Sequence, residues 1–214
     1  MARTTAPLLS FEASGQIANT QVYASWKGRP YVRRYTIPEN PNTAAQQLTR
    51  NTFAWLNNVF KYMPAGALDA WNAYADSSRF TSRNGWMKQN LGPLRDQTDL
   101  ALMTLSPSAR SGIVAAGITL TAGAGQITAD LTAPSLPTGW TINRAIAAAI
   151  RDQDPQTETF YGVVSGEDLT DPYSIVLTGL TAASPYIVGG WFEFNKPDGS
   201  FAYGQSLQDT ATPT

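Results

Sequence analysis

Neither cysteine nor histidine occurs among the 214 residues. That removes the Ser-His-Asp and Cys-His nucleophiles, the imidazole general base, and every thiolate or imidazole ligand for zinc or copper. Disulfides are excluded too, so redox compartment cannot be read from cysteine usage and the fold must rest on burial and backbone hydrogen bonding. No apolar run reaches the roughly 18 residues of a membrane-spanning helix. Met1 to Leu9 hold no apolar stretch of the kind a secretory signal needs, so export by that route is not expected. What is present is ordinary globular material: 43% hydrophobic residues, with 15 Lys and Arg against 16 Asp and Glu. Disordered, collagenous and coiled-coil readings therefore fall away.

The net charge of −1 hides an asymmetry. Residues 1–105 hold 11 basic and 6 acidic residues, and residues 106–214 hold 4 and 10. Ser106-Pro107-Ser108-Ala109-Arg110-Ser111-Gly112 is polar and rich in helix breakers, which places a boundary there, with one module over 1–105 and a second over 106–214.

In the first module, Gln21 to Trp26 and Arg29 to Ile37 read as extended, separated by a Lys27-Gly28 turn, and form a hairpin or arm. Thr43 and Gln46 have capping-box spacing. Leu48, Thr52, Trp55, Val59 and Tyr62 then recur on a helical period until Pro64 and Gly66. A second helix is expected around Leu68, Trp71 and Ala75, and a third from Arg83 to Leu91, stopped by Gly92-Pro93. Three short helices make a thin core that needs a partner.

The second module shows seven strand-like segments: 113–121, 126–133, 140–151, 158–165, 173–180, 186–194 and 200–207. Glycine turns separate the first pair, and an Asp198-Gly199 turn the last. Trp140, Ile142, Ile146, Ala148 and Ile150 alternate onto one face of the third segment, with Arg144 as the exception. The count is that of an immunoglobulin- or fibronectin-like sandwich. Leu180 followed by Tyr186 resembles the tyrosine corner of fibronectin type III domains, whose phenol hydroxyl bonds to the chain upstream. The expected fold class is α+β: an N-terminal extended arm and short helices, then a seven-stranded sandwich able to fold by itself.

Candidate sites are few. Asp152, Asp154 and Glu158 crowd one turn and Glu167, Asp168 and Asp171 another, but they lack the glycine and distal bidentate Glu of a calcium loop, so both read as solvated turns. Gly123-Ala124-Gly125 joins two strands with no following Lys and is a hairpin turn rather than a phosphate cradle. No cofactor or metal is implied. Lys27, Arg29, Arg33 and Arg34 interleave with Tyr23, Trp26, Tyr31 and Tyr35. Single-strand nucleic-acid binders use such interleaving, but the pI of about 5.4 and the lack of a surrounding binding motif weigh against nucleic acid. Tyr, Trp and Arg are also what protein interface cores favour, which makes Trp26, Arg29, Tyr31, Arg33 and Arg34 the candidate partner-binding residues.

Several of these elements fall in a recognisable order: Trp26-Lys27-Gly28 through Tyr35; Asn40-Pro41-Asn42-Thr43 with Gln46, Arg50 and Phe53; Trp71-Asn72; Asn84, Trp86 and Asn90; and Gly190 to Phe194 with Asp198-Gly199. The set resembles small bacteriophage and prophage virion structural proteins, many of them known only as domains of unknown function. Trp86 stands where that pattern has Phe. The resemblance implies a non-enzymatic virion component, a homo-oligomer attached to other virion proteins at the head or neck, as a capsid decoration or head-tail connector, with its β-sandwich projecting. The alternative is a tail or fibre module that binds a receptor or carbohydrate through Trp140, Tyr161, Tyr173 or Tyr203.

Overall fold

The computed structural model describes residues 15–37, 39, 42–76, 80–97, 99–155 and 160–214. Two compact units divide between Asn42 and Thr43. The boundary expected at 105/106 is thus displaced, for a reason that lies in the core of the second unit.

The first unit is an antiparallel meander of β1 (Gly15–Ile17), β2 (Gln21–Trp26) and β3 (Arg29–Arg34) in sheet order. The arm is folded rather than simply extended. Lys27 and Gly28 both take positive φ, 50° and 73°. That is the two-residue turn whose twist suits a hairpin, and it closes on the Trp26–Arg29 pair.

Among the described residues of the second unit, α1 (Ala44–Lys61), α2 (Ala65–Asp76) and α3 (Ser82–Asp96) precede eight strands. Thr43 caps α1 as its spacing implies, its Oγ1 accepting from Gln46 N–H at 3.4 Å. The third helix departs from expectation by running through Gly92-Pro93. Pro93 forfeits one backbone bond there. Leu94 is fully buried one residue on, and Gln97 N–H bonds to Pro93 O at 2.8 Å, so the last turn is retained.

The strands are β4 (Gly117–Gly123), β5 (Gln126–Thr132), β6 (Thr141–Arg151), β7 (Val163–Asp168), β8 (Tyr173–Thr178), β9 (Tyr186–Asn195), β10 (Phe201–Tyr203) and β11 (Leu207–Ala211). One sheet is β4-β5-β8; the other is β10-β9-β6-β7, with β11 also paired to β9. All the strand pairings are antiparallel. The last expected segment holds β10 and only the start of a further strand, β11, so the described residues of the module form eight strands rather than seven. The sheets enclose one core, in which Ile127, Leu131, Ile175 and Leu177 meet Ala145, Ala147, Val188, Phe192 and Phe194.

The opposite face of β6 and β9 is buried as well. Ile146, Ala148 and Ile150 with Ile187 and Trp191 pack against Trp55, Leu56, Val59, Trp71, Trp86, Leu94 and Leu105. The partner the thin helical layer needs is therefore this sheet face, which is why no boundary falls at 105/106. Trp71 Nε1–H donates to Leu105 O at 2.9 Å and Trp86 Nε1–H to Leu56 O at 3.1 Å, while the two rings meet edge-on at 5.5 Å. Asn90, buried on α3, pins the chain leaving the helices: its Oδ1 accepts from Thr104 N–H at 2.7 Å. Close approach requires glycine in two places. A Cβ on Gly66 of α2 would lie 2.3 Å from Ile146 Cδ1, and one on Gly190 of β9 would lie 2.4 Å from Leu131 Cδ2.

The face assignment on β6 is corrected by a bulge. The register with β9 shifts between Ile142 and Arg144, so Trp140 and Ile142 pack into the inter-sheet core while Ile146, Ala148 and Ile150 face the helices. Arg144 shares a face with the latter set, and the alternation it seemed to break is two alternations out of phase.

Tyr186 accepts Thr181 N–H on its hydroxyl at 3.0 Å, five residues upstream. Tyr186→Phe leaves that N–H without a partner and is expected to cost about 1–3 kcal/mol in a denaturation midpoint. Tyr173→Phe, which breaks no such bond among the described residues, is expected to cost much less.

Candidate partner-docking face on the N-terminal hairpin

The pairing of β2 with β3 sorts the candidate residues. Trp26 opposes Arg29, Ala24 opposes Tyr31 and Val22 opposes Arg33. Paired residues share a face and alternate residues along a strand do too, so Trp26, Arg29, Tyr31 and Arg33 stand together. Arg34 opposes Gln21 and belongs to the reverse face with Tyr23, which is buried and donates its hydroxyl to Gln21 Oε1 at 3.0 Å. Four of the five residues are thus brought together and Arg34 is not.

Trp26 is 66% exposed, although large aromatics are among the side chains that gain most from burial. Lys27 Nζ stands 4.8 Å from its ring centroid, and a pocket of about 440 Å³ opens among Trp26, Arg29, Pro30 and Tyr31. Lys27 joins the site through its contact with the Trp26 ring and Pro30 as part of the pocket wall, neither of them through the β2–β3 pairing that groups the other four. Between residues 15 and 37 there are four basic residues, Lys27, Arg29, Arg33 and Arg34, and no acidic one, so the meander presents positive charge around an apolar ridge. β3 is an edge strand, and Pro30 has no N–H to offer a partner strand, so strand addition is interrupted there. The side chains, rather than the backbone edge, are what this unit can dock with.

Of the residues expected in the two acidic turns, Glu167 and Asp168 instead end strand β7, and Asp171 follows in the connection to β8. Asp168 accepts Ser174 N–H at 3.0 Å and Thr170 N–H at 3.1 Å, and those backbone bonds, Ser174 first, hold its carboxyl below the usual range. Asp152 N–H donates to Pro185 O at 2.8 Å, and Glu158 lies outside the described residues. Among the described residues no group of three or more Asp or Glu is arranged to hold a metal ion. No described helix is long and apolar enough to cross a membrane.

One polar cluster escaped the sequence reading. Where α2 crosses the sheet, Arg144 bonds Glu193 through Nη2 at 2.8 Å and Nε at 3.1 Å and Glu167 through Nη1 at 2.7 Å, with Asp69 at 3.8 Å. Asn143, the bulged residue, donates to the other oxygen of Glu193. Burial opposes the Arg144 charge, but bonding and attraction to Glu193, then Glu167, outweigh it and raise its pKa above the ordinary value. All these groups are paired, so the cluster reads as a structural joint rather than a reactive centre. Tyr203, opposite Glu193 in the β10–β9 register, is 6% exposed. Burial, ahead of repulsion from Glu193 and Asp69, pushes its hydroxyl from 10.0 up to about 12. A raised folded-state value means the neutral phenol's contribution is complete below pH 10 and lost as pH climbs through about 12. Stability is expected to decline across that window, and Tyr203→Phe to flatten the decline in an alkaline denaturation series.

No family model and no curated protein matches the chain. Solved structures similar to part of it include one described as a myokine structure, 18% identical, covering 49% of this chain and 100% of that one at a TM-score of 0.35. Another is from a computer-based redesign of a β-sandwich protein, 17% identical, covering 45% of this chain and 85% of that one at a TM-score of 0.33. Neither bears on what this chain does.

Proposed function

We propose that the chain is a non-enzymatic structural protein of a bacteriophage particle, a homo-oligomer held at the head or neck through its N-terminal hairpin, with the β-sandwich body as the part it displays. The observation that carries this is the single hairpin face on which Trp26, Arg29, Tyr31 and Arg33 stand exposed or half-exposed. A Trp left largely in water beside arginines is what interface hot spots are built from. An excess of positive charge on a unit compact in itself suits an acidic partner surface. The ordered sequence elements that resemble virion structural proteins give that partner its class. The body is read as a fibronectin type III-like sandwich with a divided last strand, a reading supported by the β4-β5-β8 sheet set against β7-β6-β9 and by the Tyr186 bond to Thr181 N–H.

The test is incorporation into purified particles, measured by gel for variants whose thermal transition matches wild type. Trp26→Ala, truncating a hot-spot aromatic worth about 2 kcal/mol or more, is expected to lower the copies per particle by more than about tenfold. Arg33→Ala should weaken incorporation a few-fold, more so at high salt, because exposed ion pairs contribute little and are screened. Arg34→Ala, on the reverse face, should leave it unchanged. A folded Trp26→Ala chain that incorporates normally, or an absence of the wild-type chain from particles, overturns the proposal.

A further inference from the structure

Of the four aromatics that suggest sugar stacking, three are engaged elsewhere. Trp140 packs on Phe194 with Lys196 Nζ at 5.5 Å from its ring, and Tyr173 and Tyr203 are buried. Tyr161 is 67% exposed. Its ring carries the Arg151 guanidinium 4.7 Å from the centroid, and both residues line a cavity of about 210 Å³ with Gly162, Gly179, Thr181 and Tyr186. This cavity lies wholly within the second unit.

Three features of the cavity point to one ligand chemistry. A guanidinium held over an aromatic ring, as Arg151 is over Tyr161, still has N–H groups to spare, and a carboxylate can take two of them. Among the described residues Arg151 makes no ion pair. The Tyr186 hydroxyl already accepts Thr181 N–H at 3.0 Å, which leaves its own hydrogen to donate to a ligand oxygen. A Cβ at Gly162 or Gly179 would meet nothing within 4 Å, so the cavity is open beside both. At about 210 Å³ the space is below the ~300–1,000 Å³ of sites for drug-sized ligands, and it suits a single ring. The requirements are an anionic carboxylate, hydroxyls, and a flat C–H face for the exposed part of Tyr161.

We infer that the cavity is a binding subsite for an acidic sugar, a hexuronate-type ring with its carboxylate on Arg151, its C–H face on Tyr161 and a hydroxyl on Tyr186. It is independent of the hairpin, so either assignment stands or falls without the other. One ring held by so few groups binds in the range of about 1–10 mM.

The experiment is an amide NMR titration of the full chain with sodium glucuronate, and in parallel with glucose and with sodium acetate. Saturable shifts at Gly162, Gly179 and Thr181 are expected for glucuronate, about tenfold tighter than for glucose or acetate alone. Arg151→Ala and Tyr161→Ala should each weaken it by about tenfold or more. Arg151→Lys, which keeps the charge but loses the planar fork, should recover only part of the loss. No saturable shift at those amides, equal responses to all three probes, or folded variants that bind as wild type would overturn the inference. If either variant fails to fold, the comparison of the three probes on the wild-type chain decides alone.

Discussion

Residues 106–214 expressed without the helices are expected to show no cooperative thermal transition, while residues 43–214 unfold in one, within a few degrees of the full chain. The reason is the second buried face of the central sheet. Ile146, Ala148, Ile150, Ile187 and Trp191 are each 2% exposed or less, and it is the helical layer that covers them. Burying a large apolar side chain contributes about 1.5–3 kcal/mol. Losing several at once removes an amount comparable to the whole stability of a domain, about 5–15 kcal/mol. The truncated sheet would also present a broad apolar patch, a liability for aggregation. Removing 1–42 takes away a unit that is compact by itself, and the residues of this core all belong to 43–214. Circular dichroism melts of the two fragments check the prediction, and a sharp transition in 106–214 would defeat it.

The sequence points the other way on that experiment, and the cause is local. A run such as Ala145-Ile146-Ala147-Ala148-Ala149-Ile150 is apolar on both sides of the strand, and alternation cannot be read where both faces are covered. The bulge at Asn143 compounds this by shifting the phase within the strand. Features set by a few neighbouring residues were legible: the Thr43 cap, the Lys27-Gly28 turn, the bond made by Tyr186. Features that depend on distant pairing were not. Gly190 shows no reason for being glycine until Leu131 is seen against it, and Pro93 gives no sign that burial of Leu94 will carry α3 past it.

At the hairpin the same division holds. Aromatic and basic residues interleaved through 23–35 identify a face-forming strand pair, but which arginine joins Trp26 depends on the parity of the register. A one-residue slip would have exchanged Arg33 for Arg34. Because the turn has two residues and closes on Trp26 and Arg29, Arg33 is the one. Comparing Arg33→Ala with Arg34→Ala is therefore a test of register as much as of charge.

Glu193→Ala is expected to destabilise the body by about 3–5 kcal/mol, whereas Glu167→Ala should cost no more than about 1 kcal/mol, though both carboxylates bond the same guanidinium. The difference lies in burial. Glu193 is 3% exposed and holds Arg144 through two nitrogens and the bulged Asn143 through its second oxygen. Its removal leaves a half-buried cation and an amide donor facing a cavity. The Glu167 side chain is 55% exposed, so water replaces it at little cost. Restoring packing without charge separates pairing from desolvation. If Arg144→Met with Glu193→Met recovers most of the stability lost by Glu193→Ala, the pair serves mainly to satisfy itself, and α2 is held to the sheet by the Gly66–Ile146 contact and its neighbours. If the double variant melts as low as Glu193→Ala, the ion pair itself fixes the joint. Equal losses at Glu193 and Glu167 in urea denaturation would show that burial is not what distinguishes them.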